Sequence, residues 1–236
     1  MKVPFKNKNE IERESEILIA SYEKKYGETD SLSTPVDAIA EHHLGIIINV
    51  SEMEEDILGC IDVRTKEISI NHTLDPVTNK SMEGRYNFTL GHEIGHFILH
   101  KDLVAPTMPT LFDNVMTKSH NILCRKSEYK EPIEWQADYF ASCLLMPKKK
   151  TLNLLSDKYG KGNTLNTAKL INIVNSDASM KIEVMKQRNK LDRDSILEWW
   201  ATSLAKDFKV SPPAMVIRLK NLGFITESEH QKTFAA

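Results

Sequence analysis

The 236 residues carry 33 acidic and 31 basic side chains, a formal net charge of −2, and 41% of them are hydrophobic. That size buries a full core in one domain or in one with a small appendage, and the charge balance excludes a general polyanion binder, leaving room only for a local basic patch. Three scattered cysteines (Cys60, Cys124 and Cys143) make no disulfide framework, no stretch reaches the ~18 apolar residues of a membrane span, and the N-terminal twenty residues lack the apolar run of a signal peptide, so a reducing, cytoplasmic setting is expected.

Residues 9–27 place Ile11, Ile17, Leu18 and Tyr22 at helical spacing and stop at Gly27, which predicts a first helix. In "STPVDAIAEHHLG", Thr34 can cap a second helix, Pro35 suits its first position and Gly45 ends it. "IIINV" (46–50) predicts a buried strand from its β-branched content, and "GCIDV" and "EISIN", joined by "RTK", read as a hairpin. Residues 83–101 form one long helical pattern. Periodicity is then lost from 102 to 132, a stretch with three prolines, which predicts an insertion or a lid. "PIEWQADYFASCLLMP" is helical again and bounded by prolines. Residues 148–195 are polar and lysine-rich and predict a loop-rich region with two short helices. "SILEWWATSLAKDFKVSPPAMVIRLKNLGFI" reads as two helices around the turn "KVSPP", with Trp199 and Trp200 as core anchors.

The chemistry concentrates in "GHEIGHFILH", residues 91–100. Residues four apart on a helix lie one above the other, so His92 and His96 project together and can grip one ion. Glu93 lies about 100° round the helix, where it can serve as a base without binding the ion; this is the H-E-x-x-H pattern of zinc peptidases. At this histidine content the pattern arises by chance on the order of once in fifty such chains. Gly91 and Gly95 each cost roughly 1 kcal/mol inside a helix relative to alanine, which calls for the close approach of a neighbouring element.

A catalytic zinc needs a third protein ligand. Leu99 and Asp102 stand where a metzincin has its turn glycine and third histidine, so that turn is not signalled. His100 shares the face of His96 but lies a further turn, ~6 Å, along the axis. In "IEWQADYFA", Glu134 and Asp138 share a face with Ala137 and Ala141, and a face of carboxylates and alanines packs close to another helix. Glu134 can complete the site, and Asp138 can accept the free N–H of a histidine ligand.

"RYNFTLGHEIGHFILH" followed by "EWQADYFASCLLMP" resembles the ImmA/IrrE family of metallopeptidases. Arg85, Phe88, Thr89, Leu90, His92, Glu93, Gly95, His96, Leu99 and His100 match its first motif; Glu134, Ala137, Asp138, Phe140, Ala141, Leu144, Leu145, Met146 and Pro147 match its second. The likeness covers roughly residues 10–150. It implies an α+β fold: a mainly helical, zincin-like metallopeptidase core with a small mixed or antiparallel sheet (1–150), then a C-terminal helical region (151–236) that is helix-turn-helix-like near 196–225. It also implies zinc on His92, His96 and Glu134, with manganese as a substitute in vitro, and Glu93 as the catalytic base. The implied substrate is a helix-turn-helix repressor of a mobile element, prophage or stress regulon, relieved by cleavage. The long interval between His96 and Glu134 and the extended 148–195 region depart from the family pattern.

An oxyanion donor is left open among His100, His120, Tyr129 and Tyr139, and the strand Lys66, Glu67, Ile68, Ser69, Ile70, Asn71 is expected to be a sheet edge on which substrate pairs. The C-terminal helices offer Arg218 and Lys220 as phosphate partners while Met215, Ile217 and Leu219 want burial, so packing or partner docking is the better reading than DNA contact. The rivals are a non-proteolytic regulator with structural zinc that binds a repressor or DNA, and a toxin or defence-system protease.

Overall fold

The computed structural model describes residues 5–104, 121–125 and 132–227 of an α+β chain that divides into two compact units, Met1–Leu145 and Met146–Ala236. Helix α1 (Lys8–Tyr26) opens with a capping box: Asn7 accepts the N–H groups of Asn9 and Glu10, and the Glu10 carboxylate accepts the Asn7 N–H. Ile11 and Leu18 are buried, whereas Ile17 faces solvent. The short helix α2 (Val36–Ala38) runs into a π-helical turn (Ile39–Leu44) that Gly45 ends at φ 67°. Thr34 does not cap it. Its hydroxyl donates instead to the Leu144 carbonyl (2.7 Å), and Pro35 takes the cap position.

Strands β1 (Ile47–Ser51), β2 (Ile57–Asp62), β3 (Glu67–Asn71) and β4 (Asn121–Arg125) form a mixed sheet in the order β1-β3-β2-β4. The β2–β3 hairpin is present, closed by Lys66 at φ 56°. Three expectations need correction. β1 is an exposed edge, with Ile47 60% accessible, because it pairs with β3 alone; only Ile46, just before it, is buried. The 66–71 segment is no edge: β3 pairs in parallel with β1 and antiparallel with β2, so Glu67, Ile68, Ser69, Ile70 and Asn71 have neighbours on both sides and Lys66 forms the turn. Part of the 102–132 stretch is sheet, since β4 pairs antiparallel with β2; five residues are too few to display a period.

Helix α3 (Glu83–Val104) lies on this sheet, burying Leu90 and Ile94 with Ile57, Ile61, Ile68 and Ile70, and helix α4 (Pro132–Leu145) packs between α3 and α1. Near the start of α3 the Tyr86 hydroxyl donates to Asp37 (2.7 Å), and burial together with that carboxylate pushes the phenol pKa up.

The second unit is helical: α5 (Lys148–Tyr159), α6 (Thr167–Ser176), α7 (Ala178–Arg188), α8 (Arg193–Asp207) and α9 (Pro212–Asn221), with strands β5 (Leu165–Asn166) and β6 (Ile225–Thr226) paired in parallel. The region expected to be loop-rich therefore holds three helices. Each is set by local caps, Asn166 and Asp177 at the starts of α6 and α7 and Gly160 and Asn189 after α5 and α7, while polar outer faces mask the period. Trp200 stacks on Phe224 (6.1 Å) and against Tyr159 (5.5 Å). On α9, Met215 and Leu219 are buried as expected, but Ile217 is exposed. Arg218 is 0% accessible and its Nε donates to the Met146 carbonyl (3.0 Å), so it is a packing residue and no phosphate partner.

Replacing Arg218 with Met removes the partner of a buried carbonyl, and urea unfolding of the full chain is expected to show a loss of about 2–4 kcal/mol. The same change at exposed Lys220 is expected to cost less than about 0.5 kcal/mol.

Candidate metal centre

The site starts from the contact between two helices. A Cβ added at Gly95 would lie 3.2 Å from the Ala137 Cα and carbonyl oxygen, and one at Gly91 would lie 3.4 Å from the Ala141 Cβ. The glycines of α3 thus let α4 come in against its backbone, as their cost implied. Closeness on one face brings Glu134 to the adjacent one. His92 Nε2 and His96 Nε2 are 2.9 Å apart; Glu134 Oε2 is 3.1 Å from the first, and its Oε1 is 3.3 Å from the second.

These three groups fit one divalent ion. All donor atoms lie within 4.8 Å of one another. A tetrahedral zinc with bonds of 2.0–2.1 Å has ligand atoms ~3.3 Å apart, close to the spacing here. Two imidazoles and one carboxylate also leave a fourth position for water or substrate. The histidines are buried, while the Glu134 side chain keeps 24% accessibility and Asp138 22%, so the site opens on the α4 side. Burial alone raises the Glu134 carboxyl pKa, but its bonds to His92 and His96 and their charge hold it well below the usual carboxylate range. Burial lowers the His96 pKa against the pull of Glu134.

Each imidazole has a partner behind it. His92 Nδ1 meets Asp138 Oδ1 at 2.9 Å. His96 Nδ1 meets His100 Nδ1 at 3.0 Å, and burial followed by the neighbouring His96 pushes the His100 pKa down to about 4.

Glu93 is fully buried, and both its carboxylate oxygens lack a hydrogen-bond partner among the described residues. Burial pushes its pKa up to about 8; His92 draws it down and Glu134 raises it. A residue that sequence reasoning passed over stands opposite it. Gly59 of β2 comes so close that a Cβ there would lie 2.7 Å from Thr89 Cγ2 and 3.1 Å from Glu93 Oε1. The available signal was an isolated glycine inside a strand pattern, which marks close backbone approach.

The other candidates lie elsewhere. Tyr139 is about 140° round α4 from Glu134, stacked on Trp135 (5.7 Å) with Lys8 of α1 over its ring (5.5 Å), which removes it from the site. His100 is bonded behind His96 rather than facing the Nε2 cluster. His120 and Tyr129 lie outside the described residues.

Two imidazoles one helical turn apart and a carboxylate from a second helix, beside a dry glutamate, are the arrangement of a metallopeptidase. Residues 60–169, which include α3, β4 and α4, match the family model of the IrrE N-terminal-like domain of the M78 peptidases. The matched segment is an ImmA/IrrE-type metallopeptidase domain. No curated protein matches the chain.

If Gly59 is there to clear Thr89 and Glu93, Gly59→Ala should destabilise the full chain by about 1–3 kcal/mol. Thr89→Ser, which deletes the nearest methyl, should recover part of that loss in the double variant. A urea-unfolding double-mutant cycle measures the coupling, and strictly additive effects would contradict the contact.

Proposed function

We propose that the protein is a zinc-dependent endopeptidase that cleaves a helix-turn-helix transcriptional repressor and so relieves repression of a mobile element, prophage or stress regulon. The observation that carries the hydrolytic reading is the convergence of His92, His96 and Glu134 beside a buried Glu93. The repressor as substrate rests on the family resemblance, in particular the two motifs around Arg85–His100 and Glu134–Pro147.

His92 and His96 would hold the ion through Nε2 and Glu134 through its carboxylate. When bound, the metal supplies Lewis acidity, polarising the scissile carbonyl and making a water acidic enough to attack near neutral pH. Glu93 takes the proton of the attacking water and hands it to the leaving amine nitrogen. Its burial suits that task, because a carboxylate with no competing hydrogen-bond donor is free to accept this proton. Asp138 accepts the Nδ1–H of His92, which fixes that ring with its Nε2 lone pair toward the site. The main-chain pairing of an extended substrate moves from β3 to β4, which among the described residues pairs on one side only and runs alongside Gly59 of β2.

The test is to incubate the protein, with zinc or manganese, with helix-turn-helix repressors encoded beside its gene and look for one defined cut. Glu93→Gln is expected to retain bound metal while cleavage falls by ~10²–10⁴-fold or more. Cleavage at the wild-type rate in that variant would remove Glu93 from the chemistry, and a metal-loaded protein that cuts none of these repressors would contradict the substrate assignment.

A further inference from the structure

We propose that His100 is a positioning residue: it accepts the Nδ1–H of His96 and so holds His96 in the tautomer whose Nε2 lone pair faces the metal site. This rests on the metal-site reading above and extends it to a residue that binds no metal itself.

The argument is a count of protons. A neutral imidazole has one N–H and one lone pair. His96 Nε2 is the nitrogen that faces His92 Nε2 and the Glu134 carboxylate, so a ligand role requires it to be bare. The proton must then sit on Nδ1, which lies 3.0 Å from His100 Nδ1. That contact becomes a hydrogen bond only if His100 Nδ1 is bare in turn, with the His100 proton on Nε2. The opposite arrangement, His100 donating to His96, would force a proton onto His96 Nε2 and block the ligand lone pair. The tautomer of His100 therefore decides whether His96 can bind.

Two observations support the productive order. Both rings are enclosed, His96 at 0% and His100 at 1% accessibility, so water does not replace the partner. The Gln136 side chain also interacts with the His100 side chain. Since His100 Nδ1 is taken by His96, Nε2 is the nitrogen left to meet the Gln136 amide, whose carbonyl oxygen accepts a proton there. His100 Nε2 makes no aligned hydrogen bond in this structure, so the Gln136 link is the looser half of the chain.

The two ligands are thus backed differently. Asp138 can only accept, so it leaves His92 no choice of tautomer, and it is a charged partner. His100 is uncharged when it accepts, and its effect depends on where its own proton sits. It buttresses His96 without adding a third carboxylate to Glu134 and Asp138.

The experiment is zinc affinity of the full-length protein, measured by competition with a chromophoric chelator, for wild type, His100→Leu and His100→Asn. Leucine removes the acceptor, while asparagine places a carbonyl oxygen near the position of Nδ1. His100→Leu is expected to weaken zinc binding ~10–100-fold, with His100→Asn recovering to within about threefold of wild type. Leucine and wild type binding alike would overturn the proposal, and so would asparagine binding as poorly as leucine. If His100→Leu does not fold, ¹⁵N NMR of histidine-labelled, zinc-loaded wild type decides. A proton on His96 Nδ1 with ¹⁵N–¹⁵N coupling to His100 Nδ1 supports the proposal, and a bare His96 Nδ1 overturns it. A wild type that binds no zinc would instead overturn the metal-site reading itself, and this inference with it.

Discussion

The approach of α4 to α3 at Gly91 and Gly95 is the constraint on which the site depends. Glycine inside a helix is unfavourable by roughly 1 kcal/mol per position, and α3 carries two, one turn apart, against Ala141 and Ala137 of α4. Small residues on both helices shorten the interaxial distance, and only then can a short carboxylate on α4 reach both imidazoles of α3. A side chain at position 95 would meet the Ala137 backbone, which cannot give way as a flexible side chain could. Residues that bring no chemistry thus set the distances among those that do.

A second close approach completes the enclosure from the other side. The sheet reaches Glu93 and Thr89 through Gly59, so Glu93 is packed by β2 while Glu134 and Asp138 remain partly open. The result is asymmetric: a dry base with no donor competing for its oxygens, and a wetter pair of carboxylates at the mouth. The carboxylates Glu134, Asp138 and Glu93 around two imidazoles favour a cation on electrostatic grounds alone, independent of coordination geometry.

Much of this was legible in the sequence because chemistry and periodicity coincided there. His92, His96 and Glu93 follow from i, i+4 spacing, and Glu134 with Asp138 from the carboxylate–alanine face of the next helix. What could not be read was position in the sheet. β-branched content made β1 look buried and the exposed-edge role fell to β3, whereas the pairing order makes β1 an edge and β3 central. That order depends on β4, a five-residue strand within a stretch lacking any period. Gly59 escaped notice because a glycine's role is defined by what it faces. The same is true of Tyr139, placed in a Trp135 stack by its angle round α4, and of His100, whose task depends on a nitrogen-to-nitrogen contact. Capping residues, rather than an apolar stripe, delimit the helices of 148–195.

The account's central claim is that His92, His96 and Glu134 jointly hold one metal ion. Zinc K-edge X-ray absorption of the full-length protein loaded with one equivalent of zinc tests it directly. The account predicts a first shell of nitrogen and oxygen at ~2.0–2.1 Å with the outer-shell scattering of two imidazoles, one of which is lost in His96→Ala. Sulfur scattering at ~2.3 Å, or an imidazole count unchanged by His96→Ala, would contradict it.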